Sequence, residues 1–117
     1  MRESVQAGVA ALRPGVRPGA VADRCEAALA SSSYSSRYGT PASTLGGAWG
    51  HGLGLGFEPP WIDVGSEVVV EEGMCFAVER RIETPGIGGA QYEDNVLVGS
   101  ADPELLTPGP ANYDSHR

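Results

Sequence analysis

Three residues in this chain combine metal-ligand chemistry with an apolar or glycine-rich setting: His51, Glu79 and Glu93. His51 sits among alternating glycines, Glu79 follows Cys75-Phe76-Ala77-Val78, and Glu93 alternates with Gln91, Asn95 and Leu97. A carboxylate on a buried strand is costly unless it is paired or bound to a cation. One imidazole and two carboxylates suit a hard or borderline divalent ion: manganese, cobalt, iron or zinc. On the residues alone, two plainer roles stand beside this one. Glu79 pairs with Arg80, Arg81 or another arginine, or His51 is a hydrogen-bonded core histidine.

For these side chains to meet, the chain must supply strands that carry them and a layer that supports the strands. Trp49, His51, Leu53 and Leu55 alternate with Gly50, Gly52, Gly54 and Gly56. That pattern predicts a strand whose glycine face another backbone or a ligand can approach. Gly46 and Gly47 precede it, and no GxGxxG dinucleotide fingerprint can be drawn through the stretch. Residues 74–82 read as a second strand, with Met74, Phe76 and Val78 on one face and Cys75, Ala77 and Glu79 on the other. The turn-rich segment 84–89 then leads into a third strand over 91–98. Upstream, Val5, Val9 and Leu12 share one helical face, which predicts a helix over residues 1–12 stopped by Pro14-Gly15. Val21, Cys25, Ala28 and Leu29 give a second helix over 20–30. The serine-rich run 31–36 reads as an exposed loop, and Val68-Val69-Val70 as a short β-prone run. Residues 101–117 read as a proline-containing surface tail. Helices followed by antiparallel strands imply an α+β layer with the helices on one sheet face.

Composition narrows the functions open to such a layer. The 117 residues include 17 glycines and 9 prolines, which predicts much turn and loop. The 41% apolar content argues against wholesale disorder. All eight basic residues are arginine, and against 15 acidic residues they leave a net charge of −7. An acidic chain without a basic stripe is a poor nucleic-acid binder. The absence of lysine excludes a Schiff-base or pyridoxal enzyme and a Walker-type phosphate loop. Cys25 and Cys75 stand far apart in sequence and fit reduced thiols better than a disulfide framework. No apolar run approaches membrane-spanning length, and no signal-peptide pattern follows Met1. A cytoplasmic location without membrane partners is the expectation.

Four segments, in order, carry a resemblance. Leu12-Arg13-Pro14-Gly15-Val16 is similar to a helix ending in Arg-Pro-Gly, and Gly50-His51-Gly52-Leu53-Gly54-Leu55 to a Gly-His-Gly-Ile-Gly strand. Glu72-Gly73-Met74-Cys75-Phe76-Ala77-Val78-Glu79 resembles Glu-Gly-Met-x-Phe-x-x-Glu, and Tyr92-Glu93-Asp94-Asn95-Val96-Leu97-Val98 resembles a closing Glu-Asp-x-x-x-Val strand. These are the blocks of the M24 metallopeptidases, which include methionine aminopeptidase, Xaa-Pro aminopeptidase and prolidase. The resemblance covers most of residues 1–100 and implies the C-terminal half of the pita-bread fold, an α+β structure with a two-metal site on its sheet. In such enzymes two aspartates, one histidine and two glutamates hold the ions. By this resemblance the histidine is His51 and the glutamates are Glu79 and Glu93, with His51 and Glu79 as catalytic residues. Glu79 would handle the attacking water's proton, while paired cations lower that water's pKa and stabilise the oxyanion.

The departures shape the expected activity. The resemblance puts the two aspartates on strands before the first helix, and Asp23, Asp63, Asp94, Asp102 and Asp114 do not fit that setting. The expectation is therefore part of an Xaa-Pro-type peptidase domain, inactive alone and binding at most one divalent ion weakly. Where relatives carry a His-Glu-x-Pro segment, this chain has Gly56-Phe57-Glu58-Pro59-Pro60, one residue shorter, and His116 is its only other histidine. Arg80-Arg81 follows Glu79 where peptidases have Pro-Gly or Pro-His. These changes support an alternative, a non-catalytic peptide- or protein-binding module. The expected partners are a peptide substrate and either a second copy or an N-terminal half of the domain. Trp49 and Trp61 are expected to pack in the core or loops rather than line a substrate pocket, and Cys75 to be a small buried hydrophobe.

Overall fold

The computed structural model describes residues 1–38 and 48–109. Three helices, α1 (Arg2–Ala11), α2 (Pro18–Ala30) and α3 (Ser33–Tyr38), precede five strands. The strands are β1 (Gly50–Leu53), β2 (Phe57–Glu58), β3 (Cys75–Thr84), β4 (Gly88–Leu97) and β5 (Glu104–Leu105). They form one antiparallel sheet in the order β2-β1-β3-β4-β5. Gly46, Gly47, His116 and the rest of the segment beyond residue 109 lie outside the described residues.

The apolar periodicity of the helices sets how they dock. Val5 and Val9 of α1 and Val21, Cys25 and Leu29 of α2 are buried against Phe76, Val78 and Val96 of the sheet. Burying each such side chain contributes about 1.5–3 kcal/mol, so this layer supplies most of the stabilisation. The helices approach closely because Gly8 has no side chain: a Cβ there would collide with Cys25 Sγ and press on Val78. Burial pushes the Cys25 thiol up to about 12. Gly15, at φ +89, turns the chain out of α1 in a conformation that a side chain would strain. Pro18 then opens α2 at a position where its missing N–H costs nothing.

The glycine-alternating strand is shorter than the sequence pattern implies, ending at Leu53 and turning back into β2. Three further segments differ from the sequence reading, each through a partner that sequence does not show. The serine run contains α3, because Ser32 Oγ accepts the Ser35 N–H at 3.2 Å and so caps the new helix, while donating to Leu29 O at 2.6 Å. Tyr34 and Thr84 hydroxyls, 2.6 Å apart, pin that helix to β3. The valine run 68–70 joins no strand of the sheet. Val70 N donates to Val16 O, and Gly15 N to Val70 O, both at 2.8 Å, so the run braces the α1–α2 connection. Within 101–117, Glu104 and Leu105 are exposed yet form β5 against Val96 and Leu97. The strands predicted over 74–82 and 91–98 are present as β3 and β4, a continuous hairpin of ten paired positions.

Candidate metal centre

The register of β1, β3 and β4 places the chemistry on one sheet face, opposite the helices. His51 pairs with Ala77, which pairs with Asn95; Glu79 pairs with Glu93; Arg81 pairs with Gln91. Because side chains alternate, these three rows share a face, while Phe76, Val78 and Val96 point into the helix-covered core. The glycines of β1 make the close pairing possible. A Cβ on Gly50, at φ +139, would overlap the Ala77 carbonyl, and one on Gly52 would come 2.7 Å from the Pro59 carbonyl. His51 is held between two glycines whose bare faces admit neighbouring backbone.

His51 and Glu79 are both 5% exposed. His51 Nδ1 lies 2.8 Å from Gly52 O, an atom that can only accept, so Nδ1 carries the hydrogen. That leaves Nε2 facing Glu79 Oε1 at 3.3 Å. A neutral imidazole would present a lone pair to a carboxylate, so the pair calls for a proton or a cation between them. Two donors each about 2.1 Å from one ion stand roughly 3.0–3.4 Å apart, which matches this spacing. The other carboxylate oxygen, Oε2, accepts a hydrogen bond from Gln91 Nε2 at 2.7 Å. The imidazole is walled by Phe57, at 4.5 Å between ring centroids, and by Trp61, at 6.0 Å, both edge-on. The Arg alternative for Glu79 is not the arrangement found: its partners are His51 and Gln91.

Glu93 is exposed across the strand pair from Glu79. Partial desolvation and then the Glu79 charge push its carboxyl up, while His51 opposes the shift. Among the described residues no group of three His, Cys, Asp or Glu side chains converges as a ready-made ion cage. The structure therefore brings His51 and Glu79 into contact and places Glu93 beside them in register. The donor set of nitrogen and carboxylate oxygen fits a divalent ion, and the tautomer leaves the nitrogen lone pair free to bind it.

The two arginines after Glu79 separate completely. Arg80 is 3% exposed on the helix side, with its guanidinium carbon 4.5 Å from the centroid of the buried Trp49 ring. Glu26 of α2 ties this cluster together: its Oε1 accepts the Trp49 indole N–H at 2.7 Å and lies 3.5 Å from Arg80 Nη1. Burial pushes the Arg80 guanidinium below its usual value, against the pull of Glu26. Arg81 lies on the His51 and Glu79 side and meets Glu83 at the surface. Trp49 packs in the core, as expected, but on the helix side with Glu26 and Arg80 and not on the His51 face that strand alternation gave it. Trp61, by contrast, borders an apolar cavity of about 250 Å³ beside His51. Glu58, in place of the longer His-Glu-x-Pro segment, turns back so that its carboxylate accepts the Leu55 and Gly56 N–H groups. A larger cavity of about 490 Å³ runs over His51, Glu79, Glu93, Arg81 and Gln91. The sequence reading had no role for Gln91 or Phe57. Alternation from Glu93 finds the first, while the second depends on the 54–57 turn.

The sequence pattern of metallopeptidase family M24 matches residues 1–100. The chain belongs to metallopeptidase family M24. Among curated M24-like relatives, agropine synthesis cyclase from Rhizobium rhizogenes is 34% identical over 107 residues, 92% of this chain and 26% of that protein. The Xaa-Pro dipeptidase of Lactobacillus helveticus is 33% identical over 94 residues, 80% of this chain and 24% of that protein. The solved Xaa-Pro dipeptidase from Bacillus anthracis superposes with a TM-score of 0.78 at 30% identity, over 95% of this chain and 30% of that one. The chain thus spans about a quarter to a third of the length of these relatives. Its α+β architecture, helices on an antiparallel sheet, is that of the M24 pita-bread fold.

Proposed function

We propose that this chain contributes the His51–Glu79–Glu93 side of a divalent-metal hydrolase site that cleaves a peptide bond near the N-terminus of a short peptide, in the manner of an Xaa-Pro dipeptidase. The observation that carries this reading is the buried His51 Nε2 facing Glu79 Oε1 at 3.3 Å while Gly52 O holds the other ring nitrogen as N–H. A divalent ion held there would supply a Lewis acid and an activated water. The chain's own part is to fix the imidazole tautomer, orient Glu79 through Gln91, and shield one side with Phe57 and Trp61. Glu79, within reach of the site, is the proton acceptor and donor in this scheme. M24 peptidases add two aspartate donors to this set, and among the described residues no group of three His, Cys, Asp or Glu side chains is placed to hold an ion. Residues 1–117 alone are accordingly expected to bind one ion weakly and to hydrolyse nothing.

Calorimetric titration of the metal-stripped chain with manganese and cobalt tests this. Binding in the parent sequence that is lost in a Glu79→Gln, Glu93→Gln variant is the expected result. No binding by a chain that circular dichroism shows to be folded would sink the metal reading. A second reading is ring closure rather than hydrolysis, favoured by the match of 92% of this chain to a protein named for cyclisation. A longer form of this protein, loaded with metal, would separate the two by product mass: hydrolysis adds one water, and ring-closing condensation expels one. The non-catalytic binding alternative predicts that Glu79→Gln leaves peptide affinity unchanged.

A further inference from the structure

We propose that Arg81 is the residue that selects a substrate with a free carboxylate beyond the bond attacked, an inference that rests on the hydrolase reading above and specifies its substrate. Arg81 stands in the row next to Glu79 and Glu93 on the same sheet face, paired with Gln91. It borders the cavity of about 490 Å³ that also opens on His51, Glu79 and Glu93, and among the described residues it is the one permanent cation along that cavity. The other described lining residues are acidic, polar, apolar or glycine, with Leu53, Phe57 and Gly54 among them. Among them a ligand anion meets no second fixed positive charge.

The spacing favours a carboxylate about one residue from the reacting carbonyl. Adjacent same-face rows on a strand are about 7 Å apart, and consecutive Cα atoms in a peptide about 3.8 Å. An arginine extending from one row back towards the next therefore meets the end of a dipeptide whose amide lies over His51 and Glu79. Arg81 is suited to this exchange because its present partner, Glu83, is a solvent-exposed surface carboxylate. The Arg81–Glu83 pair is on the surface, with side chains 53% and 49% exposed. Such a pair is worth little, and the planar guanidinium keeps donors to spare for a second, bidentate carboxylate. Arg80 cannot take over this role, because it is buried on the far side of the sheet over Trp49. With one arginine in the core and the next in the cavity, anion recognition falls to Arg81.

The test is a titration with glycylproline and with glycylprolinamide, which lacks the carboxylate, run with and without manganese. The full chain is compared with Arg81→Gln, Arg81→Lys and Glu83→Gln. The parent is expected to prefer the acid by about tenfold, as charge-assisted recognition predicts. Arg81→Gln should erase the preference with manganese affinity intact, Arg81→Lys should restore part of it, and Glu83→Gln should increase it. Equal affinity for acid and amide in the parent, or a preference that survives Arg81→Gln, overturns the proposal, as does failure to bind either peptide. Because a guanidinium–carboxylate pair needs no ion, the metal-free titration judges Arg81 separately. Loss of manganese binding with the acid preference intact would count against the metal site and in favour of Arg81.

Discussion

The two faces of β3 are built from alternate residues of one strand yet obey opposite rules. On the helix side Phe76, Val78 and Arg80 are closed off, and even the charge of Arg80 is enclosed by Trp49 and Glu26. On the other side Ala77, Glu79 and Arg81 pass from buried to half-exposed as the strand runs out along the open cavity. The difference shows that a charge serves structure where its partners are covalently distant but spatially fixed, and serves recognition where its partner can be exchanged.

Breaking the strand pairing beneath both faces should have the largest effect. Gly50→Ala would force a Cβ into the Ala77 carbonyl at positive φ. It should cost about 3 kcal/mol or more in urea unfolding, with His51 displaced and metal binding lost together. Next comes the direct contrast of neighbours. Arg80→Ala removes the packing on Trp49 and leaves Glu26 without its cation, for an expected loss of about 2 kcal/mol. Arg81→Ala, on the exposed side, should change stability by less than about 0.5 kcal/mol. Equal effects in chemical denaturation would refute the division of roles.

Cys25 sharpens the comparison through pH. Its folded value of about 12 stands above the ordinary 9.0 because burial penalises the thiolate. The folded state thus holds its proton more firmly than the unfolded chain. This contribution to stability is complete below about pH 9 and is lost as pH rises from 9 towards 12. The decline should reach about 1.4 kcal/mol per pH unit within that window, and Cys25→Ala should remove it from the measured stability profile. The smallest effect belongs to the open face. Glu93→Gln relieves the partial desolvation of the carboxylate and, after it, the repulsion from Glu79, which together raise its carboxyl. Without metal it should stabilise the chain by about half a kcal/mol at most, since the group is exposed and screened, while abolishing ion binding in calorimetry.

Much of the open face was legible because strand alternation is a strict rule. Ala77 with Glu79, and Gln91 with Glu93 and Asn95, follow from counting by two, as does His51 opposite its glycines. The same count puts Arg80 with Val78 and Arg81 with Glu79, although reading them as one dipeptide conceals it. What alternation cannot supply is the choice of distant partner. The Ser32 cap turned a serine run into α3, Val16 claimed the valine run, and Val96 and Leu97 gave β5 its place. Nor could sequence show that Glu58 folds back on Leu55 and Gly56, the turn that brings Phe57 against His51.

The two tryptophans give the molecule a pair of unequal lamps. Trp49 is fully enclosed, with its indole N–H bonded to Glu26 and Arg80 over its ring, whereas Trp61 is 46% exposed and 6.0 Å from the His51 ring. Emission from the first reports whether helices and sheet remain docked. Emission from the second lies redder and responds to whatever settles beside the imidazole. A Trp61→Phe variant therefore leaves Trp49 to record the docking of helices and sheet, and subtracting its spectrum from that of the folded parent leaves the emission of the tryptophan beside His51.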